Sequence, residues 1–446
     1  MNLPGNLTLT LPFEQIAGFG PAYLVGGTVR DLLLARTPTD YDIVVAGNPE
    51  DFARQLAAEN QGRVVILGKP GLLLYRVVIP GNLIDVTEIF GESIEADLGA
   101  RDFTMNAMAL ELATGRIIDP FEGQKDIDQR IVRMVSADAF RRDPVRLIRA
   151  YRMAAAFSFA ISIDTTDAIA KHAYRIQASA SERVRDEWMK ILDSTESAAS
   201  IRQMAETRLI DVIFPELPKS PEQKQLPLYA YENLEEILRD PETQFPKWAN
   251  ETRVDMAHGA AAMLKCCGLF RWLEPKPGAS DSATDRTSLD GHSNRQADVA
   301  VGIADRLRFS NYQTRFLDTV IRHVPLTHRL CRAELTRREE MRFFTRFDEH
   351  VSAMLLLEAA TEEDATTSVD AAFQKYYEHF RIINRQPPLI NGRDLIEELA
   401  LDPSPVFTLL LSTIAEERLM GNLTTRDEAL EFAKQTLAGK TTGVLE

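Results

Sequence analysis

Two hydrophobic rhythms divide the chain. Through about residue 120 the apolar runs are short and rich in β-branched residues: YLV at 23–25, DYDIVV at 40–45, VVIL at 64–67, LLLYRVVI at 72–79 and LIDVTEIF at 83–90. Runs of this length, bounded by Gly, Pro and Asn, predict strands. Between them PEDFARQLAAEN predicts a helix within 47–62, with Pro49 early and Gly62 closing it. Farther on the period changes. Leu147, Tyr151 and Ala154 recur at helical spacing, and from about residue 200 the pattern is helical throughout. The stretch 275–296, rich in polar residues, Pro, Gly and Ser, reads as a mobile loop. The expected class is α+β: a head with a mixed β-sheet and helices, followed by all-α segments.

The candidate chemistry lies early. YLV is followed by Gly26-Gly27, then a helix expected from near Arg30, then the strand that holds Asp40 and Asp42. A strand has a side-chain period of two, so both aspartates point to one face. Neighbouring carboxylates repel, and a divalent cation between them removes that cost. Hard oxygen ligands on a rigid strand suit Mg²⁺, which takes one or two protein carboxylates together with substrate phosphates. The glycine pair allows close backbone approach, and a helix N-terminus beyond it favours phosphate. Taken singly, a Gly-Gly turn is often only a turn and D-x-D is a common surface pattern. Asp85, on a later strand, is a third candidate acid, although spacing alone leaves it equally an ordinary strand-end carboxylate.

GGTVRD, eight residues and then DYD together resemble the signature of class II tRNA nucleotidyltransferases and their bacterial poly(A) polymerase relatives, within the polymerase-beta-like nucleotidyltransferase superfamily. The resemblance implies a catalytic head in which Asp40 and Asp42 hold two Mg²⁺ ions and Asp85 completes the acidic trio. ARDFTMNA (100–107) is similar to the family's RRDFTINA, with Ala100 in place of an Arg. It implies that Arg101, Asp102 and Asn106 handle the ribose and triphosphate of an incoming nucleotide, with Gly26, Gly27 and Arg30 beside them. The segment 93–110 around it reads mostly as helix passing into a strand, and the Pro/Gly turn 119–123 reads as a hinge.

RRDPVRLIR (141–149) resembles the family's E-D-P-L-R, in which the Asp and Arg read the base; the matching residues are Asp143 and Arg146. Cytosine and adenine both present an amino donor beside a ring-nitrogen acceptor, so an Asp acceptor next to an Arg donor accepts C and A and rejects G and U. The same residues also suit a helix cap at Asp143 and a local ion pair three residues apart. Arg142 replaces the family Glu. Arg149 and Arg152 extend the nucleotide contacts. ASASERVRDEWMKIL (178–192) resembles the family's S-x-E-R-I-x-x-E helix, with Ser181 as its cap and Glu182 and Arg183 as structural support. The tail, opening INGRDL and closing T-x-x-EAL, is similar to the family's tRNA-gripping end. The implied domains are a catalytic head (1–135), a neck for base recognition (136–200), a helical body (201–380) and a tRNA-binding tail (381–446). Where many relatives carry a His-Asp metal box, this chain has AAMLKCCGLFRW, and no His-Asp dipeptide occurs in it. No phosphohydrolase activity is expected, and His292 and His323 are expected to be structural.

Charge changes the picture in one place. The net charge is −15, which argues against a broadly basic RNA-coating surface. Between Arg130 and Arg152, however, seven arginines face two aspartates, a local surplus of five positive charges. Three cysteines do not make a disulfide framework or a zinc site, no run has membrane-span length, and the first residues lack a basic stretch, so cytoplasm is the expected home. The expected activity is template-free addition of C and/or A, from CTP and ATP, to the 3′ end of tRNA. Only residues 86–100 separate Asp85 from Arg101. That short connection points to an enzyme adding CC, with a second nucleotidyltransferase supplying the terminal A. Poly(A) polymerase and a non-catalytic RNA-binding protein are the competing readings.

Overall fold

The strands pair in an order that the chain does not follow. A computed structural model describes residues 21–69, 72–274, 289–402 and 404–439. Strands β1 (Ala22–Val25), β2 (Asp40–Val45), β3 (Arg63–Lys69), β4 (Leu72–Ile79), β5 (Asn82–Glu88), β6 (Ala109–Glu111) and β7 (Ile117–Ile118) form one mixed sheet. Their order is β3-β4-β5-β2-β1-β6-β7; β2 and β5 run parallel and the other pairs antiparallel. Helix α1 (Gly27–Leu33) links β1 to β2, and α2 (Pro49–Glu59) links β2 to β3. Helix α1 starts at Gly27, three residues before the expected position.

Alternation fixes which face each strand buries. Tyr41, Ile43, Ile84 and Val86 are essentially inaccessible on one face. On the other, Tyr23, Val25 and Val44 pack with Ile94 and Leu98 of α3 (Ile94–Gly99). Asp40 and Asp42 continue that second face beyond the packed cluster and are exposed. Asn48 caps α2 by accepting the Glu50 N–H (2.9 Å), and Gln61 takes the left-handed backbone expected of Gly62 (φ 53°). Gly62 serves a different need, because a Cβ there would lie 2.7 Å from the Val78 carbonyl.

The segment after α3 is not the expected helix. Residues 101–107 form a looped turn with a 3₁₀ element at Thr104–Asn106 and a bridge from Phe103 to Met134. Asp102 accepts its neighbour's N–H (Phe103, 2.8 Å), a local bond that competes with helix, and Thr104 donates to the buried Asp126 carboxylate (2.7 Å). The turn 119–123, expected as a hinge, is locally hydrogen-bonded. Asp119 accepts the N–H groups of Gly123 (2.7 Å) and Gln124 (3.0 Å) at the start of α4 (Gly123–Asp128), and Gly123 sits against the Thr104 carbonyl.

A short parallel pair, β8 (Ile131–Val132) with β9 (Ala160–Ile161), flanks α5 (Ala139–Arg142) and α6 (Arg146–Phe157). Helices α7 (Ile163–His172), α8 (Ser181–Leu192), α9 (Ala198–Glu206) and α10 (Leu209–Ile213) complete a compact unit through Pro215.

Glu216–Glu446 forms the second unit, helical and without a strand among the described residues. Its helix Ala260–Phe270, at the place of the family's metal box, is buried along almost its whole length and carries a Lys265–Glu235 ion pair (2.9 Å). Arg271 pairs with Glu362 (3.3 Å). His292 and His323 each bond within their own helical turn, to Gln296 and to the Thr319 carbonyl (2.9 Å each). Most of the expected loop 275–296 lies outside the described residues, as does 1–20. Its last part is helical, within Leu289–Arg306, where Ser293 and Gln296 are buried despite their polarity. In the tail, Ile390, Leu395, Leu410, Ile414 and Leu430 share one cluster, and Asn391 caps the helix Gly392–Leu399 reciprocally with Asp394.

A Cβ at Gly123 would lie 2.3 Å from the Thr104 oxygen. Gly123→Ala is therefore expected to cost about 1–3 kcal/mol through overpacking. Denaturant unfolding of the full chain measures this, and an unchanged midpoint would show that the 101–107 loop is not held by this contact.

Candidate active site

Register brings the acids together. In the parallel β2–β5 pair Asp42 stands opposite Asp85, and Asp40 opposite Leu83, so Asp40, Asp42 and Asp85 share one face. Tyr41 between the first two is buried (1% exposed), which locks the alternation. Burial of its surroundings pushes the Asp42 carboxyl above its ordinary value; Arg101 opposes that shift, and Asp85 and Asp40 reinforce it. Asp42 is exposed to solvent all the same. Asp85 is already occupied: Arg76 on β4 grips it through Nε–Oδ1 and Nη2–Oδ2, both 2.8 Å.

The glycine turn abuts this face. Gly26 takes φ +67°, the left-handed region that glycine enters freely, and its N–H reaches the Met108 carbonyl at 3.3 Å. A Cβ there would come 2.7 Å from Arg101 Nη1 and 3.7 Å from Asp42 Oδ2, so the bare backbone is what lets these side chains approach. At Gly27 the tightest neighbour is Arg30. Thr28 stitches the turn to the acidic strand: its hydroxyl accepts the Asp42 N–H (3.0 Å) and donates to the Asp40 carbonyl (3.3 Å).

Arg101 is held over the turn by Asp97 (2.9 and 3.0 Å). Asp97 also accepts the Phe90 N–H (3.1 Å) and so braces the short connection from β5 to α3. Asp102 and Asn106 do not lie open. Asp102 is 7% exposed and bonded to Asn106 (3.0 Å) and Phe103, with Arg149 Nε 2.7 Å away. Burial pushes its carboxyl up, but Arg149 and these hydrogen bonds outweigh that and hold it below the usual carboxylate range. The Asn106 oxygen accepts from Arg30 (2.8 Å). Arg30 is further engaged by Asp31 and by the Phe157 ring, 4.5 Å from its guanidinium, so it faces inward.

Arg149 and Arg152 flank Glu187 at 3.9 and 3.0 Å. The Nε atoms of both arginines and Glu187 Oε2 are buried without a well-aligned hydrogen bond, so these are close ion pairs with poorly directed N–H groups. Asp143 is not the cap of α6, whose first residue is Arg146. Its backbone carbonyl receives the Arg146 N–H in a tight turn (3.1 Å), while its carboxylate takes a two-pronged bond from Arg183 (3.0 and 2.8 Å). Arg146 Nε lies 4.0 Å from Asp143, and its Nη1 donates to the Arg101 carbonyl (3.2 Å). Ser181 is the first residue of α8, not its cap, and makes no capping bond. Glu182 is exposed. The acid that supports the neighbouring helix is Glu187, five residues on and on a different side of α8.

The residues present suit a divalent cation at Asp40 and Asp42: two exposed carboxylates share a face with a third, and the Asp42 carboxyl stays above its ordinary value although Arg101 and Arg149 oppose the rise. Among the described residues no group of three or more His, Cys, Asp or Glu closes around a common point.

A family model for the poly(A) polymerase head domain matches residues 22–87 and 81–133, and one for the second domain of tRNA nucleotidyltransferases matches 300–433. The chain is 30% identical over 429 residues to an A-adding tRNA nucleotidyltransferase of Deinococcus radiodurans, covering 93% of this chain and 95% of that protein. It is 39% identical over 209 residues to a CC-adding tRNA nucleotidyltransferase of Geobacter sulfurreducens, a match spanning 46% of this chain and 48% of that one. In fold it is similar to a solved CCA-adding enzyme complexed with ATP, with a TM-score of 0.70 at 23% identity over 97% of this chain and 94% of the other.

A raised carboxyl in the native state means that the folded protein binds this proton more tightly than the unfolded chain does. The strain at Asp42 is therefore absent below the ordinary aspartate value and grows as pH rises through the raised one. Asp42→Asn is expected to raise the melting temperature of the metal-free protein at neutral pH by on the order of 1 °C, and the gain should fade as the solution is acidified. A thermal melt series across pH checks this; a lowered melting temperature at neutral pH would contradict it.

Proposed function

We propose, from the premise that the chain belongs to the tRNA nucleotidyltransferase family, that its carboxylate face is the catalytic centre for adding CC to the 3′ end of tRNA. The enzyme adds nucleotides to tRNA without a template and releases pyrophosphate. The observation that carries the reading is the parallel β2–β5 register that sets Asp40, Asp42 and Asp85 on one face. Members of this family use divalent metal ions, and Asp40 and Asp42 are the residues that would hold Mg²⁺. Bound there, Mg²⁺ supplies a lowered pKa to the primer 3′-hydroxyl and neutralising charge to the leaving pyrophosphate.

The chain's own residues position the reactants. Arg101, fixed by Asp97 beside Gly26, offers its remaining donors to the triphosphate. Asp143 and Arg146 meet the pairing edge of the base, with Arg183 setting the direction of the Asp143 carboxylate. Asp102, Asn106, Arg149 and Arg152 act one layer behind: they carry the position of the 101–107 loop into α6 and α8. Arg30 orients Asn106 in the same way.

The preference for C over A rests on the connection from β5 to α3. It is short, and Asp97 ties it down through Phe90 and Arg101. A tethered strap has no length with which to remodel the pocket once two cytidines are in place. Terminal A addition then falls to a second nucleotidyltransferase. No described helix is long and apolar enough to cross a membrane, and Cys266, Cys267 and Cys331 are free and buried, which supports placing the enzyme in the cytoplasm.

Asp42→Ala should lower CTP incorporation by at least about 10³-fold while leaving tRNA binding within about twofold; retained turnover would remove Asp42 from the centre. Given tRNA lacking its CCA end, the wild-type enzyme should add two nucleotides from CTP alone and extend the CC product little with ATP. Primer-extension gels decide this. A full CCA end would overturn the CC assignment, and long ATP-only tails on unstructured RNA would indicate a poly(A) polymerase.

A further inference from the structure

One member of the carboxylate face is a cation. Arg76 on β4 stands opposite Asp85 on β5, which stands opposite Asp42 on β2, so three adjacent strands present plus, minus and minus in a row. The Arg76 fork holds both Asp85 oxygens at 2.8 Å. The Asp85 side chain is 14% exposed, and that of Arg76 is 38% exposed. Asp40 and Asp42 add to the field on Arg76, reinforcing its hydrogen bonds and charge attraction to Asp85 in holding it protonated.

We propose that Arg76 is a positioning residue for nucleotidyl transfer, a built-in counter-cation that fixes the direction of Asp85 and limits the charge of the acidic face. The inference rests on the reading of Asp40 and Asp42 as the cation site. A carboxylate has about four lone-pair directions, and a parallel two-bond fork takes one on each oxygen. Asp85 can then turn only its outer lone pairs toward the reacting groups, in an orientation that the sheet dictates. Arg76 also reduces the net charge of the cluster from three negatives to two, which weakens its pull on a bound cation. Without Arg76, Asp85 would rotate freely and carry its full charge toward Asp42. Cation binding would tighten while the geometry needed for turnover was lost. Lysine in its place would restore charge but not direction, since it lacks the planar fork.

The test is Mn²⁺ binding to the full-length protein without nucleotide, followed by electron paramagnetic resonance, alongside steady-state CTP addition to tRNA. Arg76→Ala should bind Mn²⁺ about tenfold more tightly than wild type and lose kcat with KM for CTP little changed. Arg76→Lys should keep wild-type Mn²⁺ affinity yet share the loss in kcat. Arg76→Ala combined with Asp85→Asn should return Mn²⁺ affinity toward wild type, because the freed charge is gone. A merely structural arginine would not tighten metal binding. Unchanged or weaker Mn²⁺ affinity in Arg76→Ala, with wild-type binding still abolished by Asp42→Asn, would overturn the role of Arg76 alone. Wild-type binding indifferent to Asp42→Asn would instead overturn the cation site on which the inference rests.

Discussion

The parallel pairing of β2 with β5 sets two aspartates, Asp42 and Asp85, opposite each other on neighbouring strands, an arrangement that electrostatics alone disfavours. The opposite face explains why it persists. Tyr41, Ile43, Ile84 and Val86 are buried there, and each is worth about 1.5–3 kcal/mol when removed from water. Two carboxylates on adjacent strands, one exposed and one partly covered, repel by only about 1–4 kcal/mol in a water-like or surface dielectric. A slip of one residue would exchange the faces, exposing the aromatic and aliphatic side chains and burying the acids. Hydrophobic alternation thus holds the charges in place, and the residual repulsion becomes an affinity for cations.

Around this face the protein fixes its polar groups through partners distant in sequence. Thr28 bonds the backbone of both Asp40 and Asp42, and Gly26 makes room for Arg101. From Arg30 a continuous line of contacts runs through Asn106, Asp102, Arg149 and Glu187 to Arg152. Such partly buried pairs are weak evidence for stability, because desolvation offsets much of the attraction. Their effect here is directional: the loop 101–107, which has little regular structure, is located by charges on α6 and α8. Part of the arginine surplus between 130 and 152 is therefore internal: Arg133, Arg149 and Arg152 are spent on Asp126, Asp102 and Glu187, while Arg130, Arg141 and Arg142 are exposed.

What could be read in the sequence follows from the range of each signal. Strand period and a glycine pair are local, so the shared face of Asp40 and Asp42 and the turn before them were legible from residues 23–45. The roles of Arg76 and Glu187 were not, since each depends on register or on packing between helices. Glu182 and Glu187 both sit in a motif, but helical pitch sends them to different sides, and only Glu187 meets Arg149 and Arg152. Asp143 looks like a cap because Pro144 follows it; a long-range arginine, Arg183, takes the carboxylate instead. Composition misled at 291–296, where buried Ser293 and Gln296 belong to a helix. At 101–107 the side chain of Asp102 gives the backbone an alternative to helix, which propensity alone does not reveal.

The central claim is spatial: Asp40 and Asp42 form the cation-binding edge of a nucleotide site. A crystal of the full chain grown with Mn²⁺ and a non-reactive CTP analogue would test it through the anomalous signal of the metal. The account predicts a Mn²⁺ peak in contact with both Asp40 and Asp42, with the triphosphate against Arg101 and the base between Asp143 and Arg146. A peak remote from these aspartates, or nucleotide bound elsewhere in the chain, would contradict it.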